Sequence, residues 1–130
     1  MKLSEYFEAA KGTGVLATAD SSGQVDAALY ARPHVIDEQT VAFIMADRLS
    51  HRNLQSNPYA TYLFVERGEG YQGRRLYLTK IAEETDPQKI QALRRRPLPA
   101  ECGTEDESRF LVHFRVGRVR PLVGDGPDAQ

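Results

Sequence analysis

The sequence predicts a mainly β domain of six strands accompanied by three short helices. Three observations predict it: apolar residues alternate in short runs, turn-forming clusters separate those runs, and no helical signal exceeds three turns. At 130 residues the chain suits one domain. We place it at residues 1–122, with 123–130 as a frayed tail.

Leu3–Lys11 reads as the first helix, with Ser4 as cap, Glu5 at its positive end and Gly12 as stop. Gly14–Asp20 is the first strand, and Ser21-Ser22-Gly23-Gln24 turns the chain into the second, Val25–Ile36, where Pro33 marks a bend or an edge. Asp37-Glu38-Gln39 leads into Thr40–Ala46. A second helix over Ser50–Ser56 is capped by Ser50 and ended by Asn57-Pro58. Tyr59–Arg67 and Arg74–Glu83 flank a glycine-rich loop. The third helix opens at Asp86-Pro87 and runs to Arg96. Residues 97–108, with two prolines, a glycine and several acids, read as a connector. Arg109–Leu122 is the closing strand. Phe110, Val112, Phe114 and Val116 share a face, but beyond Gly117 the apolar residue is Val119, which predicts a bulge at Gly117.

Two strands are apolar on both faces. Val41, Phe43 and Met45 oppose Ala42, Ile44 and Ala46, and Tyr62 and Phe64 oppose Leu63 and Val65. Three short helices cover little, so a second copy of the chain is the expected supplier of the missing cover.

Composition excludes several functions. Seventeen basic and eighteen acidic residues leave a net charge of −1, which is no footprint for nucleic acid or an anionic membrane. No apolar run approaches a membrane span, and MKLSEYFEAAKGTG lacks the apolar stretch of a signal peptide. The single cysteine, Cys102, excludes an internal disulfide and a thiolate-rich metal site and points to a reducing cytoplasm. His34, His51 and His113 have no metal-ligand spacing, so no metal is expected. Gly68-Glu69-Gly70-Tyr71-Gln72-Gly73 matches G-x-G-x-x-G, yet runs into the strand pattern Arg74–Thr79 rather than a helix. That context predicts a hairpin loop, from which Tyr71 and Arg74 could still reach a ligand.

The stretch from Ala46 to Pro58 carries the chemistry. An apolar strand ends, Arg48 follows, and a helix begins with Ser50, His51 and Arg52 in its first turn. Basic residues there oppose the helix dipole, and a bound anion such as a phosphate would give them a purpose.

With Gly14–Asp20 and its turn before it and Tyr59–Val65 after it, this succession resembles the pyridoxamine 5′-phosphate oxidase-like flavoproteins. The resemblance covers roughly residues 3–83. It implies a six-stranded antiparallel split β-barrel that forms a homodimer with FMN at the subunit interface. It places phosphate contacts on Arg48, Ser50, His51 and Arg52, and flavin-ring contacts on Ala28, Leu29 and Tyr30. Tyr71 and Arg74 are further candidates from the glycine loop. The implied activity is flavin-dependent oxidoreduction or electron transfer on a small molecule. The alternatives are a non-enzymatic flavin or haem module and a deazaflavin-dependent reductase. No side chain stands out as a catalytic acid or base, and the chain has no tryptophan, unlike true pyridoxamine phosphate oxidases.

Overall fold

The computed structural model describes residues 2–93 and 109–124. The chain runs α1 (Leu3–Ala9), β1 (Gly12–Ala19), β2 (Val25–Leu29), β3 (His34–Asp37), β4 (Thr40–Ala46), α2 (Leu49–Ser56), β5 (Tyr59–Glu66), β6 (Gly73–Glu84), α3 (Pro87–Leu93) and β7 (Arg109–Pro121). The strands form one antiparallel sheet in the order β2-β1-β5-β6-β7-β4-β3. The expected mainly β class holds, but the sheet has seven strands rather than six. The single strand expected over Val25–Ile36 breaks at residues 30–33, where Pro33 sits, into β2 and β3.

That break shapes the fold. β2 and β3 occupy opposite edges of the sheet, yet Leu29 and His34 are only five residues apart. Five residues reach about 17 Å at full stretch. A flat seven-stranded sheet would put its edges about 29 Å apart. The sheet must therefore curl until its edges face each other without pairing, which is a split barrel. The Tyr62 hydroxyl, fully buried on β5, serves the link from inside and lies 3.1 Å from the carbonyls of both Tyr30 and Ala31. Space there is so tight that a Cβ on Gly14 would fall 1.9 Å from that hydroxyl and 2.6 Å from the Tyr30 carbonyl. Only glycine fits.

Inward residues from all around the curl fill the barrel: Leu16, Val41, Phe43, Met45, Tyr62, Phe64, Leu76, Leu78, Val112 and Phe114. The helix α1 closes one mouth with Tyr6 and Phe7, whose rings pack edge-on against Phe64. Its start was not legible locally: Ser4 does not cap it. Instead Glu38, in the β3–β4 turn, accepts the Leu3 N–H at 2.7 Å and the Ser4 hydroxyl at 2.6 Å. Nor is Gly12 a stop signal, since it already belongs to β1, and Arg32 donates to the carbonyls of Phe7, Glu8 and Ala10 at the helix end. The helix α2 closes the other mouth through Leu54 and through Asn53, whose amide donates to the buried Thr18 hydroxyl at 3.0 Å.

Other local signals read true. Asp20 Oδ1 accepts the backbone N–H groups of Ser22 and Gln24 at the β1–β2 turn. Asp86 caps α3 by accepting the Gln88 N–H at 2.9 Å. The G-x-G-x-x-G stretch is the β5–β6 hairpin, closed by Glu66 N–H to the Gln72 carbonyl. Gly117 is skipped between the Tyr77–Arg118 and Leu78–Val116 pairs, so the bulge lies where the face switch put it. The connector 97–108, with Cys102, and most of the tail lie outside the described residues.

The outer face of the sheet divides in two. On β4 and β7, Ala42, Ile44 and Leu111 are covered by Ile90 and Leu93 of α3. The second apolar face of β4 is thus satisfied within the chain, and the need for a partner does not arise there. On β1, β2, β5 and β6 the outer positions are exposed or half-buried, including Val25 and Leu29 at 77% and 61% exposure.

Tyr62→Phe removes both hydroxyl contacts to the β2–β3 link. The two carbonyls share one hydroxyl proton, and a buried hydrogen bond of this kind contributes about 1 kcal/mol, so we expect a loss of about 1 kcal/mol in urea unfolding. Gly14→Ala should cost at least as much through overpacking, about 1–3 kcal/mol.

Candidate functional site

The α2 entrance is built where β4 ends. Arg48 takes the N-cap position with extended backbone and makes no side-chain cap hydrogen bond, and the helix begins at Leu49. Ser50, expected as the cap, is instead inside the first turn and buried. Arg48 and Arg52 are exposed beside it. Arg52 leans back on the preceding loop, with Nη2 donating to the Asp47 carbonyl at 3.3 Å and Nε 4.0 Å from the Asp47 carboxylate. The entrance therefore combines two guanidinium groups with helix N–H groups that the side chain of the N-cap residue leaves uncapped.

His51 is differently placed. Its ring is buried, stacks on Phe110 at 3.8 Å between centroids, and has Asp47 Oδ1 3.1 Å from Nδ1 and Glu83 Oε2 3.2 Å from Nε2. Gln55 and Lys80 donate to the other Glu83 oxygen at 3.0 and 2.7 Å. Burial would raise the Glu83 pKa, but hydrogen bonds from Lys80, Gln55 and His51 outweigh it and hold the carboxyl down to about 2. The imidazole is thereby committed to fastening α2 onto β6 and β7. What it offers an anion at the entrance is its backbone N–H. Glu83 itself was missed from sequence, because its role depends on β6 passing under a helix 27 or more residues earlier in the chain. Among the described residues no three His, Cys, Asp or Glu side chains form a metal-binding group.

The second-strand candidates lie on the sheet edge beside α2, which packs against β1 and β2. The Tyr30 N–H donates to the Gly14 carbonyl, so by antiparallel alternation Ala28 also turns its backbone to β1, while Val25, Ala27 and Leu29 turn theirs to the open edge. The Tyr30 ring is in the core, 5.8 Å from Phe43. Leu29 thus offers both an exposed side chain and edge backbone groups, Ala28 is half-buried, and Tyr30 acts through packing.

The structure does not bring Tyr71 and Arg74 to this place within one chain. Arg74 points into the barrel at the α1 mouth, its guanidinium 3.9 Å over the Tyr6 ring. Tyr71 projects from the hairpin at 80% exposure. Along β6, Arg74 and Glu83 are nine residues apart, about 30 Å.

No family model matches the chain, and no curated protein matches it in sequence. Solved structures do. An FMN-binding protein from Syntrophomonas wolfei superposes with a TM-score of 0.70 at 14% identity over 96% of this chain and 86% of that one. A protein from Clostridium acetobutylicum related to general stress protein 26, of the pyridoxine-phosphate oxidase family, gives 0.62 at 14% over 89% and 82%. A heme-binding protein from Mycobacterium smegmatis gives 0.66 at 21% over 98% of this chain, which spans 55% of that one. The fold is that of the pyridoxamine 5′-phosphate oxidase-like split barrels, as the resemblance implied.

The Glu83 pKa is lowered on folding from an ordinary 4.5 to about 2. Its contribution to stability is therefore complete above about pH 5 and is lost as pH falls toward 2. Thermal melts across that range should show a decline in the wild type that is flattened in Glu83→Gln, which starts less stable at neutral pH.

Proposed function

We propose that this chain binds FMN and acts as a flavin-dependent oxidoreductase or electron carrier on a small molecule in the cytoplasm. The observation that carries the reading is the α2 entrance: an N-terminus without a side-chain cap, flanked by Arg48 and Arg52 beside the open edge of β2. These residues suit a phosphate, because helix N–H groups and guanidinium groups are the donors that charge-assisted phosphate binding uses. Arg48, Arg52 and the backbone of Ser50 and His51 hold the phosphate in this reading, while Ala28 and Leu29 form the wall for the ring and Tyr30 supports it from the core. The flavin supplies the redox chemistry and the protein binds and orients it. Tyr71 takes part only from a second copy, in a homodimer with FMN at the interface, whereas Arg74, turned into the barrel over the Tyr6 ring, takes no part. The exposed Val25 and Leu29 on β2 support such pairing.

Purified protein should carry the visible spectrum of a flavin, and mass spectrometry of the released ligand should give FMN. A Soret band, or a deazaflavin mass, would replace FMN with haem or a deazaflavin. Reduction of the bound flavin by a nicotinamide donor, with turnover on an acceptor, separates an enzyme from a binding module. A monomeric mass by light scattering with cofactor bound would count against the dimer.

Charge-assisted hydrogen bonds contribute roughly 1.5–3 kcal/mol. Arg48→Ala or Arg52→Ala should therefore weaken FMN about 10- to 150-fold, and the double variant should exceed either. Riboflavin, which lacks the phosphate, should scarcely respond. Equal losses for both ligands would indicate a damaged fold, and indifference of both would overturn the phosphate assignment.

A further inference from the structure

The helix α2 does not aim its own first turn. It has 8 residues, about two turns, and a helix that short is marginal by itself in water. By helix geometry the N–H groups of Leu49, Ser50 and His51 have no acceptor within the helix, whose ladder begins with the Arg52 N–H on the Arg48 carbonyl. Where those three groups point is set by what grips the helix from outside.

The grip has two parts. The second turn is held by Leu54 in the core and by Asn53, whose amide donates to Thr18 on β1. The first turn is held through the His51 ring, stacked on Phe110 and set between Asp47 and Glu83. Glu83 reaches further than that one contact. Its Oε2 lies 3.2 Å from His51 Nε2, while its Oε1 accepts from Gln55, one turn further along the same helix, and from Lys80 of β6. The Lys80 N–H in turn donates to the Pro58 carbonyl at 2.7 Å, just past the end of α2. One carboxylate on β6 thus ties both turns of α2 to a strand that is itself fastened to the helix exit.

On the phosphate reading of the α2 entrance, on which this step rests, we propose that Glu83 is a positioning residue for the anion, acting through His51 without touching the ligand. His51 is the residue that Glu83 grips and also one of the three that present a free N–H, so a shift of its ring is a shift of a donor. The charge of Glu83 makes the claim sharp. By electrostatics alone, removing a carboxylate near a phosphate site should tighten binding, and the more so because Lys80 loses its counter-ion. By positioning, the same change frees the first turn of α2 and should loosen binding. The two effects have opposite signs. The geometry points to the second, since the carboxylate already has Lys80 2.7 Å away and presents little net charge to the entrance.

The test compares FMN with riboflavin, by fluorescence titration well below the melting temperature of each variant. Glu83→Ala should weaken FMN about tenfold, as the partial loss of a hydrogen bond to a charged group would, and leave riboflavin unchanged. Glu83→Gln, which keeps the volume and folds more readily, should fall between the wild type and Glu83→Ala. His51→Ala should also weaken FMN, and Glu83→Ala/His51→Ala should lose no more than the larger single change, because the two residues act in series. Asp86→Ala, which uncaps the distant α3, is the control: it should lower stability and leave the ratio of the two affinities alone. FMN binding that is unchanged or tighter in both Glu83 variants would overturn the proposal, as would equal losses for the two ligands or full additivity with His51→Ala. If FMN responds to Arg48→Ala/Arg52→Ala but not to Glu83, this inference alone fails. If the wild type does not bind FMN, or binds it indifferently to the arginines, the phosphate reading fails and takes this step with it.

Discussion

The short link between β2 and β3 is the constraint on which the rest of this molecule depends. Residues 30–33 join the two edges of a seven-stranded sheet, so the sheet has no flat conformation open to it. Curling creates an interior, and the interior creates two mouths. Each mouth takes a helix, α1 over Phe64 and α2 over Thr18 and Phe110. The same constraint explains why Tyr62 is buried with a hydroxyl in reach of the link and why position 14 tolerates no side chain. Closure rests on a few buried contacts at one seam, while antiparallel ladders hold the rest, two of them, β1–β5 and β4–β7, between strands distant in sequence.

What the sequence made legible and what it hid follow from the range of each interaction. Strand identity rests on alternation within a few residues, and β1, β4, β5, β6 and β7 are readable to within two residues of their ends. The bulge at Gly117 was equally local, a face switch visible in the spelling of one strand. The β2–β3 split was hidden because apolar and polar residues keep a strand-like pattern from Val25 to Ile36, and Pro33 alone marks the break. The true cap of α1 is Glu38, whose relation to Leu3 depends on the completed barrel. A serine near a helix start is a weaker acceptor than a carboxylate that tertiary structure delivers to the same N–H groups.

The candidate site shows the same division. The motif from Arg48 to Pro58 located a helix start, and its arginines stand exposed where that start meets the sheet edge. Its histidine was grouped with them by sequence adjacency. In space it belongs to another system, in which Glu83 and Asp47 take its two ring nitrogens and Phe110 takes its face. Adjacency on a helix puts consecutive residues about 100° apart, so neighbours in a motif routinely serve different surroundings. Here one neighbour faces the mouth of the barrel and the other faces solvent. The division has a use: a helix whose first turn is to hold an anion must itself be held, and a buried ring between two carboxylates holds it.

The outer face carries this logic to the other side of the sheet. Packing dictates every inward residue of β6 and β7, because Leu76, Leu78, Val112 and Phe114 fill the core. No such demand explains the outward residues. Surface strands ordinarily intersperse both signs of charge, which limits self-repulsion. This one sets Arg75, Arg115, Arg118 and Arg120 along two neighbouring strands, with Arg75 donating to the carbonyls of Pro121 and Gly124 and the Arg120 guanidinium 5.8 Å from the Tyr77 ring centre. The outward side chains thus answer to partners at the strand ends and across the ladder, while the inward ones answer to the core.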